Sequence, residues 1–556
     1  MTFGVPQTQR AVQLTGPDAL TLSAQKPVVR PGPHQILCRV EAVGLCFSDL
    51  KLLKQFSQHV RKSEVVSGIS PEVLAEVSSY MPGGAPTVPG HEAVVRVRSV
   101  GQGVSSCRPG ERYLVQTDYR WLHTAAANAA FGYNFEGALQ EYVLMDERVI
   151  TSPEGESMLI PASEDLSASA IALVEPWACV EDAYATRERK AVKRDGRMLV
   201  VYEDDIDDGI LSRYLSRHGR PAEITRLRTK RNPPAIDVNT RRAEDPGAVE
   251  AGVFDDVIYF GSHAEMIEAL FPGLTAGGIL NVVLCGKRID RLVATPVGRV
   301  HYGGIRVIGA AGSDPAEAMQ AIPETGEVRA NDAVDVIGAG GPMGVMHVVR
   351  DMCLGTANLA IYAGDLEQER LTALKRIAGP LAAANGVAFT AYDPKAGAPR
   401  EQFSYTIVMV PVPALVAGAV AHSDEHAIIN IFAGIPADVS IEIDLNTYIQ
   451  NKLYFIGTSG STLEDMRTVL GKLESGTLDT NLSVAAICGL EGAIDGIRAI
   501  EARRVNGKIV AYPSCRGLGL VRLDEMHQRL PEVAKLLNQG MWTREAENAL
   551  LARYQE

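Results

Sequence analysis

The sequence predicts an α/β protein: a β-rich module, then two tandem doubly wound parallel sheets. Three observations carry this reading. Residues 1 to about 150 hold short apolar runs punctuated by Gly and Pro. Beyond about residue 185, apolar runs alternate with helical patterns. Segments of that later part recur about 148 positions further on. Closely spaced strands with turn signals read as a small barrel or sandwich, and alternating strand and helix patterns read as βαβ units.

Taken in order, QILCRVEAVG, EAVVRVRSVG and LQEYVLM are strands of the first module. In the repeat, IRVIGAAGSDPAEAM (305–319) matches LYFIGTSGSTLEDM (453–466), pairing Gly309 with Gly457, Gly312 with Gly460 and Ser313 with Ser461. FDDVIYFG (254–261) parallels FSYTIVMV (403–410), and ILNVVLCG (279–286) parallels IINIFAG (428–434). GRMLVVYEDD (196–205) parallels DAVDVIGAGG (332–341). The expected organisation is the β-rich module over 1–185, copy one over 186–325, copy two over 326–480, and a return to the first module over 481–556. The tail beyond 521 reads as amphipathic helix with a packing role.

Composition narrows the function. With 46% hydrophobic and 22% charged residues the chain is an ordinary globular protein, not a disordered one. A net charge of −13 without a basic stripe argues against nucleic acid as partner. Eight cysteines without a CxxC pair fit a reduced, cytoplasmic setting. No basic-then-apolar leader and no bilayer-length apolar run is present, so neither a signal peptide nor a membrane anchor is expected.

In copy two the strand AVDVIG runs into GAGGPMG and then an apolar helical stretch. Gly338, Gly340 and Gly344, with Pro342 and Met343 between them, form a strand-to-helix turn of the kind that brings backbone N–H groups to a pyrophosphate. The GxGxxxG spacing is one residue longer than the usual fingerprint. Asp365, after the second strand LAIYA, is placed to accept from the adenosine ribose and to repel a 2′-phosphate, favouring NAD over NADP. Its plainer reading is a helix N-cap. Copy one replaces the glycines with YEDDIDDG, where Glu203, Asp204, Asp205, Asp207 and Asp208 would repel a pyrophosphate. Copy one is therefore not expected to bind a dinucleotide in the normal way. Arg226, Arg228, Lys230 and Arg231 read as a solvated basic face.

GLCFSD (44–49), PGHE (89–92) and LVEPWACV (173–180) carry Cys46, His91 and Glu175. By themselves a lone thiol, imidazole and carboxylate so far apart mean little. In this order ahead of the glycine turn, however, and with VPGHEAVVRVRSVGQGV, GALQEYV, EPWACVEDAY, IGTSGS and GKIVAYP, they resemble the zinc-containing medium-chain alcohol/polyol dehydrogenases. The resemblance implies a GroES-like catalytic domain and Rossmann-like cofactor sheets. It implies one catalytic zinc on Cys46, His91 and Glu175, with Glu92 as an exchangeable ligand. Asp49 would orient the ligand histidine, and Ser48 would pass the alcohol proton outward. The EP form of the third segment is closer to polyol, sugar and sugar-phosphate members. Three departures stand out. The cysteine cluster of a structural zinc is replaced by YRWLHTAAANAAFGYN, so no structural zinc is expected. Lys51 stands at the relay-histidine position. Cys46 and His91 lie 45 positions apart, with an extra helix and loop near 62–84 that are expected to lid the pocket.

The implied activity is reversible hydride transfer between a secondary alcohol of a polyol or sugar and NAD. Alternatives are an epimerase or eliminating enzyme that retains NAD, and a non-catalytic relative. Trp121, His123, Asn134 and Glu136 are candidate pocket residues. Copy one is expected either to pair edge to edge with copy two, in place of a second subunit, or to bind a ligand of its own; homo-oligomers remain compatible.

Overall fold

The structure, a computed structural model, describes residues 4–554 apart from 186, 204–205, 208, 228–238, 244–248, 401 and 459. Asp204, Asp205, Asp208, Arg228, Lys230 and Arg231 lie outside the described residues. Two compact units emerge, residues 1–179 with 461–556, and residues 180–460.

The first unit is built on an eight-stranded, mostly antiparallel sheet. Its central strand β1 (Gln35–Leu45) is followed by helix α1 (Phe47–Gln55). Next come β2 (Val65–Ser67), β3 (Glu92–Val100), β4 (Asp118–Thr124) and helix α2 (Val174–Asp182). Along β1, Gly44 faces Glu92 of β3 on one side and Val510 of the strand Lys508–Ala511 on the other. That register brings three distant segments to one point. The tail packs as expected: Glu547 accepts backbone N–H bonds from Ala168 and Ser169 and a hydroxyl bond from Tyr512, capping the helix Ala168–Ala172.

The extra segment is stitched into this unit on both sides. β2 pairs antiparallel with β4, which pairs with Asn128–Ala130, so YRWLHTAAANAAFGYN supplies two strands of a three-stranded sheet. The Lys62 ammonium is buried and donates to the carbonyls of Met81 and Ala85, while Thr124 Oγ1 donates to the Val60 carbonyl.

The second unit holds two six-stranded parallel sheets. The first contains β5 (Arg197–Tyr202), β6 (Glu223–Leu227), β7 (Asn239–Ala243), β8 (Phe254–Phe260) and β9 (Leu274–Val283). β10 (Val293–Thr295) and helix α3 (Val297–Gly303) lead to its last strand, β11 (Arg306–Ala310). The second begins with β12 (Ala333–Ile337), helix α4 (Pro342–Met352), β13 (Ala360–Gly364), β14 (Ala388–Tyr392), β15 (Phe403–Val408) and β16 (Ser423–Ile431). β17 (Ile441–Ile443) and helix α5 (Leu445–Gln450) lead to β18 (Tyr454–Ile456). The strand orders are β7-β6-β5-β8-β9-β11 and β14-β13-β12-β15-β16-β18, the same doubly wound topology twice.

The two sheets meet at their equivalent edges through a pseudo-two-fold relation. β10 pairs antiparallel with β17, and Ala294 faces Glu442, its own counterpart in the repeat. A Cβ on Gly309 would lie 2.5 Å from Ile449, and one on Gly457 would lie 3.0 Å from His301, the counterpart of Ile449. One apolar core runs through both copies, from Leu199 and Val307 to Ile429 and Phe455. The basic-face expectation for Arg226 is overturned: it lies within β6 and is buried, because the strand continues through it into the sheet.

Candidate metal centre and dinucleotide turn

At the metal centre, Cys46 ends β1 and caps α1, and Asp49 folds back so that its Oδ2 accepts the Cys46 N–H at 3.0 Å. The other oxygen of Asp49 lies 3.1 Å from His91 Nδ1. One carboxylate thus fixes both the thiol-bearing turn and the imidazole plane. His91 Nε2 points the other way, 3.1 Å from Ser48 Oγ. Glu92 enters from β3 across Gly44, where any Cβ would stand 2.1 Å from Glu92 Oε2. Lys508 donates to Glu92 Oε1, and both side chains are buried.

Cys46, His91 and Glu92 offer ligand atoms that all lie within 4.8 Å of one another, the only such group among the described residues. Glu92 Oε2 is buried without a hydrogen-bond partner. An orphaned carboxylate oxygen beside a thiol and an imidazole is the donor set of a zinc site, so these residues fit the ion. Burial pushes the His91 imidazolium down, but Tyr133, Asp49 and Cys46 outweigh it and hold its pKa well above the ordinary histidine range.

Other expected site residues are placed differently. Glu175, in the first turn of α2, lies outside the ligand-atom group, with Cys179 Sγ 3.9 Å from its Oε1. Burial raises its pKa to about 7, and charge from His91 and Glu92 also acts on it. Lys51 is exposed on α1, and among the described residues its ammonium has no bonded partner. Of the candidate pocket residues, Trp121 lines a cavity of about 320 Å³ and His123 is exposed. Asn134 is buried, accepting from Ala130 N and donating to the Ser63 carbonyl. Glu136 pairs with Lys26 in a separate cavity.

Sequence reasoning missed Lys508, Tyr133, Arg61 and Asp118. Lys508 opens the apolar strand KIVA, and a lysine there is the signal that a buried anion awaits it. The Tyr133 ring packs 5.6 Å from His91. Arg61 stands over the same ring and donates to Asp118 at 2.5 Å.

In copy two, Gly338 turns the chain at φ +89°, a conformation open to glycine. Gly344 passes so close that a Cβ would lie 2.6 Å from the Gly338 carbonyl. Pro342 opens α4 and Met343 follows it, both at least partly exposed. Asp365 is buried and accepts two backbone N–H bonds, from Gly340 and from Glu367, each at 3.0 Å. It ties the end of β13 to the glycine turn, and the cap of the next helix is Glu367. In copy one, Glu203 occupies the corresponding turn, bonded by the Tyr259 hydroxyl and by His263. No helix among the described residues is long and apolar enough to cross a membrane.

Comparison with known proteins agrees with this architecture. Residues 32–154 match the alcohol dehydrogenase GroES-like domain. YggP, an uncharacterized protein of Escherichia coli, is 23% identical over 246 residues, 41% of this chain and 58% of that protein. L-sorbose 1-phosphate reductase of Klebsiella pneumoniae is 28% identical over 158 residues, 28% of this chain and 37% of that enzyme. The chain thus spans well under two thirds of these relatives. The 2R,3R-butanediol dehydrogenase of Bacillus subtilis shares the fold, with a TM-score of 0.52 at 15% identity over 91% of this chain and all of that one. Residues 32–154 thus carry a GroES-like domain of the alcohol dehydrogenase type, and the doubly wound sheets give the chain a fold shared with a known dehydrogenase.

Proposed function

We propose that the protein is a zinc- and NAD-dependent dehydrogenase acting on a secondary alcohol of a polyol or sugar. The observation that carries this is the convergence of Cys46, His91 and the unpartnered Glu92 oxygen. Glu175, which interacts electrostatically with His91 and Glu92, is proposed as a further ligand. A relative named for L-sorbose 1-phosphate and a fold neighbour named for butanediol support a hydroxyl-bearing substrate.

A zinc ion held there would act as a Lewis acid on the alcohol oxygen. NAD bound at Gly338, Gly340 and Gly344 would accept the hydride, and Asp365 supports the choice over NADP. The chain's own residues do the rest. Asp49 holds His91 in one ring orientation, the usual service of a carboxylate behind a ligand histidine. Lys508 keeps one Glu92 oxygen occupied and leaves the other for the metal. Ser48, with its Oγ 3.1 Å from His91 Nε2, is placed to take the alcohol proton. Copy one, with Glu203 filling its turn, serves as a structural partner of copy two.

The test is metal analysis with NADH production across polyols and sugars, repeated on Cys46→Ser. Stoichiometric zinc and turnover, both lost in the variant, are expected. Turnover unchanged by Cys46→Ser would refute the centre.

A further inference from the structure

A further cavity of the first unit, about 260 Å³, lies between its large sheet and the helix Arg544–Tyr554. Strand register fills it with arginine. Arg39 of β1 faces Arg96 of β3, and Arg96 faces Arg112 of the strand Arg112–Val115, so three arginines stand in one row across three strands. Arg98 joins them from a bulge in β3, where the register shifts against Leu37 and Cys38. Arg544 enters from the helix. Like charges set opposite one another on a sheet cost stability, and the cost falls when a counter-ion answers them.

The carboxylates present answer only part of this charge. Glu41 accepts from Arg96 Nε at 2.6 Å and from Arg112 Nε at 2.7 Å, and Glu164 accepts from both terminal nitrogens of Arg96. Arg112 also donates to the carbonyls of Ser163 and Leu166. Arg544 donates to the Glu164 carbonyl and stands 3.8 Å from Asp165. Glu547, the third acid of the wall, is occupied by neutral donors, the N–H groups of Ala168 and Ser169 and the Tyr512 hydroxyl. Five arginines thus meet three carboxylates. Arg39 and Arg98 are the remainder. Both are half-buried, and among the described residues neither has a hydrogen bond or an ion pair.

Two unspent guanidinium forks on one wall match an anion that carries two charges and several oxygens on a single centre, which is a phosphate group. Val40, Leu166 and Leu551 give the same cavity an apolar side, against which a short carbon chain packs. Arg39 lies about 17 Å along β1 from Gly44, the residue that faces Glu92, at a strand's rise per residue. An anion held here is therefore out of reach of the metal centre. We propose that this cavity is a binding site for a small phosphate monoester, held by Arg39 and Arg98 and separate from the metal centre.

The experiment is a calorimetric titration of the full-length protein with propyl phosphate, which has no alcohol to oxidise. Butyrate and inorganic phosphate are titrated alongside, at an ionic strength matched with chloride. Propyl phosphate is expected to bind at least about tenfold tighter than either, because butyrate brings one charge and inorganic phosphate brings no apolar chain. Arg39→Gln and Arg98→Gln should each weaken the ester about tenfold to a hundredfold, the worth of a hydrogen bond to a charged group. Should Arg39→Gln fold poorly, Arg98→Gln, at the bulge, carries the test. Binding is expected to be the same in Cys46→Ser and in saturating NAD, since neither the metal centre nor the glycine turn takes part. Butyrate or inorganic phosphate binding as tightly as the ester, displacement of the ester by NAD, its loss in Cys46→Ser, or indifference to the arginine substitutions overturns the proposal.

Discussion

Lys508 and Glu92 form a buried ion pair whose second carboxylate oxygen is left unbonded. Removing one partner of such a pair strands the other charge in a medium that cannot solvate it. Lys508→Met is therefore expected to lower stability by about 3–5 kcal/mol in denaturant unfolding, and adding Glu92→Gln should recover most of the loss. Recovery of nothing would mean that the lysine packs rather than pairs. Asp49 supports His91 and the Cys46 turn together. Asp49→Ala should weaken zinc about tenfold to a hundredfold in a chelator competition, because the imidazole loses its fixed plane. Lys51, by contrast, lies away from these bonds, although its position in the sequence resembles that of a relay residue.

At the scale of the element, β12 shows what a parallel strand costs when a polar residue sits inside it. Asp335 is buried between neighbouring strands, with the Tyr392 hydroxyl donating to its Oδ1 at 2.8 Å. Burial raises its pKa to about 6 from the ordinary 3.8. The folded state then holds this proton more tightly than the unfolded chain does. The associated stability is complete below about pH 4 and is lost as pH rises through 6. A rise of that size corresponds to about 3 kcal/mol. Asp335→Asn should flatten the stability profile between pH 4 and 7 by that amount, as read from urea midpoints across the range. An unchanged slope would assign the titration to another group. The insertion teaches the complementary lesson. Its pairing through β2 makes it part of a three-stranded sheet, and the buried Lys62 ammonium ties it to the carbonyls of Met81 and Ala85.

At the scale of the molecule, the second unit is a repeat folded against itself. The sheet edges that would otherwise remain open cover one another, and a shared core runs beneath. Gly309 and Gly457 mark the closest approaches, so Gly309→Leu should cost about 1–3 kcal/mol in unfolding free energy by overpacking against Ile449. A neutral result would place the contact outside the cooperative core. Much of this was legible in the sequence. The offset of the repeat gives two equal sheets, since period and turn chemistry are local properties, and the glycine turn declares itself because only residues without a Cβ fit there. The thiol, imidazole and carboxylates could be named in order along the chain. What the chain order could not decide is which of them share a point in space. That depends on strand register: Gly44 faces both Glu92 and the Lys508 strand, which are over four hundred residues apart, and the register is set by packing of the whole sheet. Arg226 differs from its expected place for the same reason, since exposure is decided by neighbours and not by charge. Local sequence determined the parts and their chemistry; tertiary packing alone determined that Glu92 stands with Cys46 and His91, and that Arg61 pairs with Asp118.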